Sequence, residues 1–241
     1  MTEIGGSTRS LTIPVPAGGD VELAWGAATD TGRRRVSNED SFIARSPIFA
    51  VADGMGGHAS GDLASAAVVH RLSELVIADF LPSRAIEGAL EAATDDITAI
   101  AGDSALGVGT TVTGAALTLV DGAPHFAIFN VGDSRVYAFE HNELRQVTVD
   151  HSVVQELVES GALTRDEAER HPDSNIITRA VGFNSRPIPD FWSLPLKAGL
   201  RLLLCSDGLT KEVSDERIRL HLAAGLSAAE TASLWALVHE V

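Results

Sequence analysis

Three apolar stretches of this 241-residue chain run into an aspartate flanked by glycine or serine. The first is Phe49-Ala50-Val51-Ala52-Asp53-Gly54-Met55-Gly56-Gly57-His58. The second is Asn130-Val131-Gly132-Asp133-Ser134-Arg135, and the third is Leu202-Leu203-Leu204-Cys205-Ser206-Asp207-Gly208. A single Asp in such a place is an ordinary turn former. Asp40, at the start of another short apolar run, makes a fourth candidate. Four carboxylates at strand ends in one acidic chain read better as a shared metal site. Carboxylate and backbone carbonyl oxygens suit hard cations such as Mn²⁺ or Mg²⁺. Glycine lets the backbone approach a ligand closely. A two-metal site needs several oxygen ligands and commonly one bridging carboxylate.

The elements that must position these groups follow from pattern. Arg33-Arg34-Arg35-Val36-Ser37-Asn38-Glu39-Asp40 places three arginines ahead of two adjacent carboxylates. By itself that is a solvated charged turn. It leads, however, into the strand Ser41–Ala44, and a second strand over 48–52 follows within a few residues. A hairpin there can bring Asp40 beside Asp53. Val21, Leu23, Trp25 and Ala27 alternate as a half-buried strand, whereas residues 1–20 lack a period and read as a loose tail. Val68, Leu72, Leu75 and Val76 give one apolar face to a helix over 61–80, and Pro82 opens a second through Ile100. Strands are expected at 112–120, 125–131, 135–139 and 143–147, an antiparallel meander. Ser152–Ser160 is amphipathic, and Thr164-Arg165-Asp166-Glu167 and Ser227-Ala228-Ala229-Glu230 fit capping boxes.

Composition bounds the function. Hydrophobic residues make up 45% and charged residues 21%, which is globular. The net charge of −15 argues against nucleic acid, which is bound by clustered Lys and Arg. No apolar run reaches a membrane-spanning length. The start of the chain has no signal-peptide pattern. Cys205 is the lone cysteine, so a reducing cytoplasm is the expected setting. It reads as a small buried hydrophobe rather than a nucleophile.

These pieces together resemble the bacterial branch of the metal-dependent, type 2C Ser/Thr protein phosphatases. The resemblance runs from about Trp25 to near the C-terminus. It is carried by Gly32-x-x-Arg35-x-x-Asn38-Glu39-Asp40, Asp53-Gly54-Met55-Gly56-Gly57-His58, Gly109-Thr110-Thr111, Gly132-Asp133-Ser134-Arg135, Asp150-His151-Ser152, Thr178-Arg179-Ala180-Val181-Gly182 and Ser206-Asp207-Gly208-Leu209-Thr210. It implies an α+β fold, a four-layer αββα sandwich of two antiparallel sheets flanked by helices. It implies two core Mn²⁺ or Mg²⁺ ions. Asp53 would bridge them, the Gly54 carbonyl would ligate one and Asp207 the other. Glu39 and Asp40 would hold metal-bound waters or the second ion, and Asp133 would belong to an outer third ion. Arg35 would clamp the phosphoryl group. Residues 151–182 would form a flap beside the site, with Arg179 either facing a site carboxylate or held in a structural ion pair.

The chain departs from that pattern in three places. Met55 stands where relatives outside the bacterial branch carry the His proposed as general acid, and the role does not pass to His58. Lys211 stands where bacterial relatives often carry an Asp, which disfavours a third ion. The family's Gly-Gly-x-Asp-Asn turn and closing strand find no match before Val241, so residues 21–241 are expected to be a phosphatase domain lacking them. The expected function is hydrolysis of phosphoserine and phosphothreonine in proteins, opposing a bacterial Ser/Thr kinase. The alternative is a metal-poor relative that binds phosphoproteins without efficient turnover.

Overall fold

The computed structural model describes residues 1–32, 37–56, 60–102, 107–168, 170–183 and 186–238. Its layers are visible in the way side chains alternate along the strands. The largest sheet has the order β1 (Glu3–Gly5), β4 (Asp40–Arg45), β5 (Ile48–Met55), β7 (Val112–Val120), β8 (Ala123–Val131), β11 (Asp190–Pro195). A short strand, β6 (Gly109–Thr110), also pairs with β5. On one face of this sheet Ile43, Ile48, Ala50, Phe129 and Val131 pack with Val68, Leu72, Ile86 and Leu90. Those last four lie on α1 (Ser60–Ser73) and α2 (Ser83–Ala101). On the other face Ala115, Leu117, Phe126 and Ile128 meet Ile13, Val21, Val136 and Ala138.

These partners belong to a second β layer. It consists of the hairpin β2 (Thr8–Pro14) and β3 (Asp20–Trp25), and of β9 (Arg135–Glu140), β10 (Glu143–Gln146) and β12 (Arg201–Cys205) in the order β10-β9-β12. Adjacent residues of β9 and β12 point the opposite way. Tyr137, Leu203 and Cys205 pack with Val213, Ile218 and Leu222. Ile218 and Leu222 lie on α6 (Asp215–Ala223), which follows α5 (Asp207–Glu212) and precedes α7 (Ala228–Val238). Two β layers between two helical layers give the αββα sandwich that the sequence implies. The period-2 alternation on both sheets buries each face against a different partner.

Four elements differ from the sequence reading. Residues 1–20 are not a loose tail, because β1 adds in parallel to β4 and β2 pairs with β3. Ile13 is 3% exposed between the layers, an anchor that the surrounding Ser, Thr and Gly hide from pattern. The second β layer is in two pieces: β3 and β12 border a cleft of about 830 Å³ and belong to separate sheets. Helix α1 ends at Ser73, whose hydroxyl donates to the His70 carbonyl; Leu75 and Val76 still pack on the core, from turns. The β-branched pair Val76-Ile77 gives the helix little reason to continue. Finally, β11 was not read as a strand at all. It ends in Pro195 and pairs only with β8, so it is an edge, where proline is tolerated. Both expected capping boxes are present. Thr164 and Glu167 exchange side-chain and backbone hydrogen bonds, as do Ser227 and Glu230.

Candidate active site

The hairpin β4–β5 sets the first pair of carboxylates. Its register places Asp40 directly opposite Asp53, so the two side chains share one face of the sheet. Asp53 is held at both ends of its peptide unit. Its N–H donates to Thr111 Oγ1 at 3.2 Å, and its carbonyl accepts from Thr111 N–H and Thr110 Oγ1, each at 2.9 Å. The Asp40 N–H donates to Asn38 Oδ1 at 2.9 Å. Asp53 does not end its strand, as the sequence implied, because Gly54 and Met55 pair on with Thr110 and Gly109.

Gly54 is where β4, β5 and α1 converge. Its N–H donates to the Glu39 carbonyl at 3.2 Å, which also accepts from Ser65 Oγ at 2.6 Å. A Cβ on Gly54 would overlap the Gly61 carbonyl group and lie 2.8 Å from the Glu39 carbonyl oxygen. A Cβ on Gly61 would lie 3.0 Å from Glu39 Oε2, so the Glu39 carboxylate sits at the start of α1 beside this crossing.

Asp207 arrives from the second β layer. It opens α5 directly after the N-cap Ser206, and Ser206 Oγ donates to Asp40 Oδ2 at 2.9 Å. One hydroxyl therefore ties the Asp207 segment to the Asp40–Asp53 pair across the two sheets. Lys211, one turn along α5, forms an ion pair with Asp207 Oδ2. Asp133 lies on the turn between β8 and β9. Burial, then the charges of Asp207 and Asp150, push its carboxyl up to about 6, while Lys211 pulls the other way. Thr111 Oγ1 also contacts Ser134 Oγ at 2.8 Å, so one threonine braces both the Asp53 strand and the Asp133 turn. Gly132, at φ +114°, needs to be glycine: a Cβ would stand 2.6 Å from the Thr111 side chain.

Behind the Asp133 turn, His151 is 5% exposed and joins three segments. Its Nδ1 accepts the Gly132 N–H at 3.1 Å, and its Nε2 lies 3.1 Å from Asp190 Oδ2. Its carbonyl accepts the Thr178 N–H at 2.8 Å. An Nδ1 that accepts a hydrogen bond leaves the proton on Nε2, where it is donated to Asp190. Burial holds the imidazole pKa below its ordinary value despite the Asp190 contact. Arg179 pairs with Asp190 Oδ1 at 3.1 Å. Of the two roles open to Arg179, the structure displays the structural ion pair. Burial pushes the Asp190 carboxyl up, but His151 and Arg179 together hold it below the usual range.

A pH dependence follows. The folded pKa of His151 is depressed, so its contribution to stability is complete above the unfolded value of about 6.5 and is lost as pH falls through the folded value. Thermal unfolding of the metal-free wild type should therefore fall more steeply between about pH 7.5 and 5.5 than that of His151→Gln. Equal slopes would refute the neutral, Nε2-protonated hub.

A family model described as Protein phosphatase 2C matches residues 33–239. The chain belongs to that family. Stp of Listeria welshimeri, a serine/threonine phosphatase, is 36% identical over 220 residues, which cover 86% of this chain and 86% of Stp. The serine/threonine protein phosphatase PstP of Mycobacterium tuberculosis is 38% identical over 207 residues, or 81% of this chain. The match spans only 38% of the length of PstP. A crystal structure of M. tuberculosis PstP/Ppp superposes with a TM-score of 0.80 at 35% identity, covering 89% of this chain and 90% of that one. The catalytic domain of PstP in complex with two manganese ions superposes at 0.77 with 34% identity, again over 89% and 90%. Dependence on Mn²⁺ or Mg²⁺ is typical of protein phosphatases 2C.

The residues present fit such cations in their chemistry. Asp40, Asp53, Asp207 and the Gly54 carbonyl are all oxygen donors, on elements that the fold brings together. The crowded Gly54–Gly61 crossing admits no side chain that would cover that backbone. Among the described residues no three His, Cys, Asp or Glu form a group that could hold a metal ion. Arg35, the expected phosphoryl clamp, and His58 lie outside the described residues. The supporting role of Thr110, Thr111 and Ser206 was missed, although each was in a matched motif. For Ser206 the signal was its place directly before Asp207; Thr110 and Thr111 neighbour no aspartate in the sequence and are brought to Asp53 only by the fold.

Cys205 has no part in this protein phosphatase 2C site. It is 6% exposed, and burial pushes its thiol up to about 12. At neutral pH the native thiol should react with a maleimide at least about 10³-fold more slowly than the unfolded chain, since only the thiolate is nucleophilic. Labelling at the unfolded rate would overturn this placement.

Proposed function

We propose that this chain is a Mn²⁺- or Mg²⁺-dependent phosphatase of phosphoserine and phosphothreonine in proteins. The observation that carries the reading is the convergence of Asp40, Asp53 and the Asp207 segment, in register across the β4–β5 hairpin and linked by Ser206. Cations held there would lower the pKa of a water and draw charge from the phosphoryl oxygens. The protein's own part is positional. Asp53 and Asp207 bring carboxylates from the two β layers, and the Gly54 carbonyl follows Asp53 directly along β5. Thr110 and Thr111 fix the Asp53 backbone, and Ser206 and Asn38 fix Asp40. Glu39, whose carboxylate lies beside the start of α1, and Asp40 would hold metal-bound waters or the second ion. Arg35, whose planar fork of donors matches phosphoryl oxygens, orients the substrate. No protein nucleophile is required, in keeping with the buried Cys205.

The residues from about 21 onward form the phosphatase domain in this reading, and β1 and β2 brace it from the N-terminal side. No helix among the described residues is long and apolar enough to cross a membrane. We place the protein in the cytoplasm, opposing a Ser/Thr kinase. The test is hydrolysis of a phosphothreonine peptide with added Mn²⁺ and with a chelator. Turnover that appears with Mn²⁺ and vanishes on chelation supports the reading. Turnover indifferent to the chelator, or none with any divalent ion, would refute it.

A further inference from the structure

We infer that the N-terminal segment positions the site from outside the matched family region, through a relay of hydroxyls that ends on the peptide groups of Glu39 and Gly54. Thr2, Ser41 and Ser65 are its positioning residues. The inference rests on the two-cation reading above and adds to it what holds the rim of that site in place. β1 and Thr2 lie outside residues 33–239, which the family model matches. β1 nevertheless pairs in parallel with one edge of β4, and the other edge of β4 carries the Asp40–Asp53 pairing. Just before β1, the Thr2 N–H donates to Ser41 Oγ at 2.9 Å, and the Thr2 carbonyl accepts the Phe42 N–H at 3.0 Å.

The direction of the relay follows from its far end. Ser65 Oγ lies 2.6 Å from the Glu39 carbonyl oxygen and 3.2 Å from that of Asp62. A carbonyl only accepts, so the Ser65 hydroxyl donates there. Ser41 Oγ, 2.9 Å from Ser65 Oγ, must then give its own proton to Ser65 and receive the Thr2 N–H. Ser41 is 2% exposed and Ser65 fully buried, so a broken link leaves a polar group without compensation from bulk water. The Glu39 carbonyl also takes the Gly54 N–H, so the relay ends where β4 meets β5 beside Asp40 and Asp53. A second tie reaches the same segment. Asn38 Nδ2 donates to Met1 Sδ at 3.2 Å and to Thr29 Oγ1 at 2.8 Å, while Asn38 Oδ1 accepts the Asp40 N–H. Groups in this position orient metal ligands, and losing one ordinarily weakens metal binding about 10- to 100-fold.

The experiment measures Mn²⁺ dissociation constants, from the electron paramagnetic resonance of free aqueous Mn²⁺, for the wild type, Thr2→Pro, Ser65→Ala, the double variant of these two, Ile13→Ala and Asp53→Ala. Circular dichroism gives the fold and melting temperature of each. Ser65→Ala should weaken Mn²⁺ binding at least about tenfold. Proline has no N–H, so Thr2→Pro unties the first link alone and should weaken binding about threefold. The double variant should bind no more weakly than Ser65→Ala, because the relay is already cut. Ile13→Ala removes a buried anchor of β2, away from the relay. It should lower the melting temperature at least as far as Ser65→Ala yet bind Mn²⁺ within about twofold of the wild type. Unchanged binding in a folded Ser65→Ala or in Thr2→Pro, an additive double variant, or an equal loss in Ile13→Ala overturns the inference and leaves the two-cation reading intact. Should Ser65→Ala fail to fold, Thr2→Pro against Ile13→Ala decides. Equal binding by wild type and Asp53→Ala, or no binding by either, refutes the two-cation reading itself and the inference with it.

Discussion

Asp53→Ala should lower Mn²⁺-dependent phosphothreonine hydrolysis at least about 10³-fold while leaving the chain folded. That loss corresponds to about 4 kcal/mol of transition-state stabilisation at about 1.4 kcal/mol per tenfold. The fold should survive because Asp53 is anchored by its backbone, through Thr110 and Thr111, rather than by its side chain alone. The β4–β5 ladder is likewise a backbone contact that alanine preserves. A second measurement separates a lost ligand from a damaged fold. A ligand that binds only the native state raises its stability in proportion to the logarithm of its concentration over the dissociation constant. Wild type should thus gain thermal stability on titration with Mn²⁺, and the variant should not. A variant that keeps more than a tenth of the activity, or the full Mn²⁺-induced shift, would remove Asp53 from the centre of the site.

What could be read from the chain beforehand was what is local. The Asp40–Asp53 pairing was legible because β4 and β5 are joined by only Ser46-Pro47, so the register has little freedom. The two helices and the meander were legible from their apolar periods, and the alternation of Val136, Tyr137 and Ala138 already holds the two-faced second layer. The N-terminal strands were not, since β1 is defined by pairing with β4 nearly forty positions away and carries only Ile4 as an apolar side chain. His151 could be guessed to be structural, but its partners at Gly132, Asp190 and Thr178 come from separate elements.

Lys211 marks the other boundary of sequence reasoning. Its sign was evident, and so was its conflict with an outer ion. Its contact was hidden because Asp207 was read as the tip of a strand. Once Asp207 is the first residue of α5, the four-residue spacing becomes a contact rather than a distance. The carboxylates of this site thus reach it in three ways: across a hairpin, on a turn held by Thr111 and His151, and at the first turn of a helix. Each way ties its carboxylate to a different part of the core. A fault in the fold at one of them should therefore move the groups carried by that element together and leave the others in place.

Gly54→Ala tests that coupling at its tightest point. The atoms nearest the added methyl would be backbone, the Gly61 carbonyl group and the Glu39 carbonyl oxygen, so rotating a side chain cannot relieve the closest clashes. Either α1 must lift from β5, or the Glu39 segment must move and release the Gly54 N–H bond. Overpacking a core ordinarily costs about 1–3 kcal/mol, and a clash with two backbone segments belongs at or above the upper end. At about 2–4 °C per kcal/mol for a domain of this size, the melting temperature should fall by about 6–12 °C. Activity should fall as well, because the same displacement moves Glu39, Asp40 and the Gly54 carbonyl together. Gly88→Ala is the matched control. Gly88 is exposed in the middle of α2, and a Cβ there would meet nothing within 4 Å. The same substitution should there raise stability by about 0.5–1 kcal/mol and leave turnover unchanged, since alanine is the better helix former. Opposite signs for the two variants locate the cost in the β5–α1 crossing. Equal and small effects would mean that the crossing is looser than its backbone contacts imply, and that Gly54 is not what fixes Glu39 beside Asp53.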